Sequence, residues 1–90
     1  MVELNHNVVS FNSDTLIKGG HGVVVAVFVT KAGSGSNKVE FRNGTTSSAT
    51  PVEFTIFTAA QGTYPNLNRR FENGIFADCA GSAEVTVVFK

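Results

Sequence analysis

Hydrophobic and polar positions alternate with a period of two along several short stretches of this 90-residue chain, as strands with one wet face do. Between residues 38 and 42, Lys38, Glu40 and Arg42 fall on one side while Val39 and Phe41 fall on the other. Between 51 and 58 the spacing predicts Val52, Phe54 and Ile56 inward and Glu53, Thr55 and Phe57 outward, with Phe57 the misfit of the outward set. One stretch departs from alternation. Residues 23–29 read Val-Val-Val-Ala-Val-Phe-Val, preceded by Gly19, Gly20 and Gly22 and followed by Thr30 and Lys31. Its β-branched content makes it a strand rather than a helix segment. An unbroken apolar run predicts a strand covered on both faces, by its own fold on one and by a sister subunit on the other.

Turn residues place the remaining elements. Residues 8–11 and 15–18 form short candidates around Asn12-Ser13-Asp14, and the central strand covers 21–30. Residues 31–37 and 45–50 are loops by composition, Asn43-Gly44 and Glu72-Asn73-Gly74 are turns, and Pro51 stands at a strand start, where a missing N–H does least harm. Residues 63–71 contain Pro65, Asn66 and Asn68, which suit an edge or bulged strand. Strands at 75–79 and 83–90 complete the chain. No segment carries the 3.6-residue apolar period over ten residues, and no internal repeat stands out. The expected fold is all-β: one domain, 1–90, an antiparallel β-sandwich of seven or eight strands, jelly-roll-like or another Greek key.

Composition sharpens this. At 42% hydrophobic residues the chain lies outside the range of disorder, and eight Phe against one Tyr and no Trp are packing mass. A domain of this size buries roughly 60% of its unfolded surface and commonly needs a staple or a partner. Cys79 is the only cysteine, so no internal disulfide forms and homo-oligomerisation becomes the expected device. Seven basic and seven acidic residues cancel. Without a basic stripe beyond Arg69-Arg70, no nucleic-acid partner is expected. The seven-residue run falls far short of the ~20 residues of a membrane-spanning helix. Met1 to His6 lack the basic and apolar regions of a signal peptide, so synthesis in the cytoplasm is expected.

The residues that could carry chemistry are sparse. His6 and His21 have no ligand partners at metal-site spacing, and His21 after two glycines suits a turn. Cys79 falls on the side of Ile75 and Ala77, and the neighbouring Asp78 raises rather than lowers its pKa, so it reads as a small buried hydrophobe. Glu3, Asp14, Glu40, Glu53, Glu72, Asp78 and Glu84 are scattered singly; Glu40, Glu53 and Glu84 alternate with core residues and are expected on solvated faces. Gly33-Ser34-Gly35 lacks the lysine of a phosphate loop, and Asn43-Gly44-Thr45 matches a glycosylation sequon but reads as a turn. No catalytic, cofactor-binding or metal-binding set assembles, and the expectation is a protein that is not an enzyme. The strongest contact candidates are Phe57, Tyr64, Arg69 and Arg70, with Asn66 and Asn68 beside them. They suit a partner protein or, with Phe76, a shallow carbohydrate-binding groove.

The second half, about residues 20 to 90, resembles small β-sandwich structural proteins of tailed bacteriophages, marine and environmental ones especially. The likeness rests on Lys38-Val39-Glu40-Phe41-Arg42-Asn43, the Ser/Thr loop from Thr45 to Thr50, Phe71-Glu72-Asn73-Gly74-Ile75-Phe76, and the ending Ala83-Glu84-Val85-Thr86-Val87-Val88-Phe89-Lys90. This chain has Phe41-Arg42-Asn43 where the pattern has aromatic-Asp-Asn, so no role for an acid there carries over. The resemblance implies a non-enzymatic virion component, such as a capsid decoration, cement or tail-associated subunit. Its partners would be copies of itself, by analogy as a trimer, and other virion proteins. No site residues transfer with it.

Overall fold

Turn-forming residues cut the chain into extended segments too short and too alternating for helices, and the computed structural model, which describes residues 6–90, has nine strands and no helix among them. They are β1 (Asn7–Phe11), β2 (Thr15–Gly19), β3 (Gly22–Lys31), β4 (Lys38–Asn43), β5 (Val52–Phe57), β6 (Gly62–Tyr64), β7 (Arg69–Phe71), β8 (Gly74–Ala80) and β9 (Glu84–Phe89). The reading of Met1 to Asn5, including Glu3, lies outside the described residues. All pairings are antiparallel. Sheet A runs β1-β9-β3 and then β6 and β7, which share one side of β3; sheet B runs β2-β8-β4-β5. The two sheets stack in a sandwich-like arrangement only 17 Å thick, which leaves room for two layers and no third.

The count exceeds the expected seven or eight because the segment 63–71 is divided. Pro65 has no N–H to donate, and Asn66 and Asn68 adopt φ of 60° and 47°, a left-handed conformation that ends a strand. β6 and β7 thus form one interrupted edge, bridged where the N–H of Leu67 donates to the Val25 carbonyl at 2.8 Å. With that edge taken as one strand, the pairing is nested. β1 pairs β9, β2 pairs β8, β3 pairs the β6/β7 edge, and β4 pairs β5; the β3–β9 and β4–β8 ladders then join these pairs into two sheets.

The core lies between the sheets. Sheet A contributes Val24, Val27, Val29, Phe71, Val85 and Val87; sheet B contributes Val39, Phe41, Ile56, Ile75 and Ala77. Phe54 links the layers, stacked on Phe41 with centroids 4.7 Å apart and edge-on to Phe71 at 6.2 Å. Each such aromatic pair adds about 0.5–1.5 kcal/mol beyond area burial.

Two bulges correct the simple alternation. In β3 the register with β9 jumps between Val24 and Ala26, making Val25 the extra residue. The inward phase shifts from Gly22 and Val24 to Val27 and Val29, so the run of seven apolar residues spells two inward phases joined at a bulge, with its own fold covering one face. One face is covered by sheet B; the other, with Val23, Val25 and Phe28 half-buried, is the outer face of the molecule. In β5 the register with β4 jumps at Arg42, so Val52 pairs with Arg42 on the outer face instead of lying inward. Glu53, expected on a solvated face, is the displaced residue and bonds within the fold.

Candidate functional site

The four contact candidates stand apart. Phe57 is 68% exposed at the end of β5, on the outer face of sheet B. Tyr64, 37% exposed, lies on β6 opposite Val27, at the edge of sheet A. Arg69 and Arg70 are consecutive in β7 and point to opposite sides. Arg69 reaches across to sheet B, where its Nη2 donates to the Glu53 carbonyl oxygen at 3.0 Å and its carboxylate at 3.3 Å. Arg70 turns to the outer face of sheet A, with its Nη2 3.3 Å from Nε2 of His21. Phe76 is half-buried beside Arg42 and Leu16 on the outer face of sheet B. The likeness in sequence of these residues, polar or planar groups in or near one irregular segment, gave no hint that the fold distributes them over different surfaces.

Cys79, the sequon Asn43 and the Gly-Ser-Gly loop are bound into the fold. Cys79 packs against the core on the side of Ile75 and Ala77, and its N–H donates to Oδ1 of Asp14 at 2.7 Å. Burial, reinforced by the Asp14 and Asp78 carboxylates, pushes its thiol up to about 11, so it is a poor nucleophile at neutral pH. Asn43 of the sequon is buried and used at both ends: its Nδ2 donates to Glu53 Oε2 at 3.0 Å and its Oδ1 accepts from the N–H of Asn73 at 2.8 Å. Beside it, the N–H of Gly44 donates to the Gly74 carbonyl at 3.0 Å. The two Asn-Gly turns therefore lock together. Gly74 has φ of 137°, and a Cβ there would lie 2.6 Å from the Gly44 oxygen, so the second turn tolerates no side chain at that contact, while a Cβ on Gly44 would run into the Ala49 side chain. The Gly-Ser-Gly loop is tied down as well: Gly33 N–H donates to Thr58 O, and Thr58 N–H to Asn37 O.

The feature with most to say about function is the contrast between the two outer faces. On sheet B, Arg42 lies at mid-sheet with Nε 2.9 Å from Asp78 Oδ2 and Nη2 3.4 Å from Glu40 Oε1, while Nη1 donates to the Ala49 carbonyl at 3.1 Å. On sheet A, the strand register aligns Val8, Val88 and Ala26 in one outward row and Ser10, Thr86, Phe28 and Thr63 in the next. Val8 is 65% exposed. Val23 continues the face toward Arg70 and Lys90, whose backbones pair with it on either side. Sequence reasoning missed Val8 as a surface residue; the signal available was its place opposite Val88 once β1 and β9 are known to pair.

Among the described residues no enclosed pocket forms, no group of His, Cys, Asp and Glu converges as a metal site, and no helix is long and apolar enough to cross a membrane. No family model matches the chain, and no curated protein and no solved structure matches it either.

Proposed function

We propose that this protein is a non-enzymatic structural subunit that acts by associating with copies of itself. The observation that carries this reading is the outer face of sheet A, where Val8, Val23, Val25, Phe28 and Val88 stand without a covering layer in a molecule two layers thick. Apolar patches of that kind on a small domain mark interaction surfaces. The nested strand pairing supports a jelly-roll topology, an architecture shared by viral capsid and lectin domains. Together with the sequence resemblance to phage structural proteins, it favours a capsid decoration, cement or tail-associated subunit located in a virion. Fold alone does not assign such a role, so the reading stands on the exposed face. The trimer rests on the resemblance alone. Multi-angle light scattering at micromolar concentration is expected to give a stable oligomer, and a clean monomer overturns the reading. Capsid, portal or tail genes flanking its own would support the virion assignment.

A carbohydrate-binding module is the second reading, favoured by the open rings of Phe57 and Tyr64, since sugars stack on exposed aromatic faces. Of the other candidate contacts only Phe76 shares the outer face of sheet B with Phe57; Arg70 lies on the outer face of sheet A, and Arg69 is engaged by Glu53. A glycan array with no signal above background removes it.

A further inference from the structure

Each sheet has two edges, and three of the four carry a device that stops another strand from adding. On β2 a bulge between Leu16 and Lys18 breaks the ladder, and Lys18 and Gly19 follow. On β5 the Arg69 guanidinium occupies the backbone carbonyl of Glu53. The β6/β7 edge is interrupted at Pro65 and by the left-handed Asn66 and Asn68, and Gln61 Nε2 covers the Thr30 carbonyl at 2.8 Å. The β1 edge has none of these. Its five residues, Asn-Val-Val-Ser-Phe, contain no charge, proline or glycine, and they pair with β9 in unbroken register from Asn7↔Phe89 to Phe11↔Val85. Among the described residues no strand, loop or side chain hydrogen-bonds to its outer side.

We propose that β1 is the joining edge of this protein: it pairs antiparallel with β1 of a second copy about a two-fold axis, making the two A sheets one continuous sheet. The proposal rests on the self-association reading above and names the contact. A second copy is the occupant that the strand itself fits. A two-fold contact sets a segment against itself, and like charges placed opposite each other destabilise a ladder. β1 has no charge to conflict, whereas β7 would set the Arg69-Arg70 pair against its mate. The pairing also brings a strand of the copy alongside the outward-facing, 65%-exposed Val8 and supplies partners to backbone groups that otherwise face water. Such a contact closes at two copies, so it does not need the three-fold assembly implied by the resemblance.

The test is cross-linking of Val8→Cys and Ser10→Cys in a Cys79→Ser background, with oxidised glutathione as oxidant, beside light scattering of the parent chain. An axis at Val8 links Val8→Cys to itself, an axis at Val9 links Val8→Cys to Ser10→Cys in a mixture, and an axis at Ser10 links Ser10→Cys to itself. A covalent dimer as the major product of one of these three combinations is expected, with loss of dimer and an unchanged β-rich circular dichroism spectrum in Val8→Lys. A parent oligomer that yields none of the three products overturns the β1 contact while leaving self-association standing; a Phe28→Cys control that does cross-link then assigns the interface to the face instead. A monomeric parent overturns self-association and the β1 contact together.

Discussion

On the outer face of sheet B, the mid-sheet guanidinium of Arg42 engages Asp78, Glu40 and the Ala49 carbonyl; on the outer face of sheet A, the comparable positions are Ala26, Phe28 and Val88. Both faces are one layer from the same core, yet only one is complete in water. The charged face satisfies its own groups at partial burial, with side-chain exposures of 18% for Arg42 and 25% for each carboxylate. Leu16 and Phe57 are open on sheet B as well, but on its edge strands, while the centre belongs to the ion network. On sheet A the apolar residues occupy the centre and the charges, Arg70, Lys90 and Glu84, lie toward the ends of the strands. A face with an apolar centre and a polar margin is built like an interface core and rim.

Neighbouring residues of β3 separate the two sides most sharply. Val27→Asp sets a carboxylate in the fully buried core and is expected to cost more than about 4 kcal/mol, enough to leave the chain unfolded by circular dichroism. Phe28→Asp, one position along on the outer face, is expected to change folding stability by no more than about 1 kcal/mol while reducing any face-to-face assembly to the β1-paired dimer in light scattering. If Phe28→Asp unfolds the chain as Val27→Asp does, the two faces of β3 are not distinct. On sheet B, Arg42→Met removes the cation and leaves Glu40 and Asp78 facing each other, with an expected loss of about 1–2 kcal/mol in urea denaturation and no change in oligomeric state. Loss of the oligomer in that variant would transfer the interface to sheet B.

The smallest effect is a pH dependence at the boundary of sheet B. Well below pH 9.0, its ordinary value, the Cys79 thiol is neutral in both folded and unfolded chains and contributes no slope. From there up to about 11 the unfolded chain loses the proton that the folded chain retains, so stability falls as pH rises until the folded thiol ionises too. Urea midpoints at pH 8 and pH 10 should differ more for the parent than for Cys79→Ala; equal differences would mean that the site is as wet as the unfolded chain.

Much of the strand layout was legible because it is written locally. The alternation of 38–42 survives as β4, with Val39 and Phe41 buried, and the turn signal of Glu72-Asn73-Gly74 separates β7 from β8. The irregularity at Pro65 was visible too, though not that it would divide one edge into two strands. What local pattern could not supply is set by partners far along the chain. Val52 turns outward because Glu53 is drawn to Asn43 and Arg69, and the phase of β3 shifts at Val25, whose carbonyl takes the Leu67 N–H. The apolar run 23–29 looks uniform in sequence because its inner and outer faces are both apolar. Only the register tells Val27 from Phe28. The candidate site was legible as an excess of apolar residues, and not as a place: Phe57, Tyr64, Arg69 and Arg70 were grouped by type and neighbourhood, while Val8 carried no mark of its exposure.

Nested pairing also arranges the fold in time. Phe41 meets Phe54 across a single loop, while Ser10 meets Thr86, 76 positions away, so closure becomes entropically harder from the β4–β5 hairpin outward to β1 and β9. β1 is therefore the strand whose own partner lies farthest along the chain. Among the described strands its partner β9 emerges last during synthesis. Until then, Asn7–Phe11 is an uncharged, unpaired segment with two strand edges open rather than one. A newly made chain can meet its neighbour through β1 before it has met its own β9, and the rate of that encounter, set by concentration, decides between a closed roll that then pairs and a strand exchanged between chains.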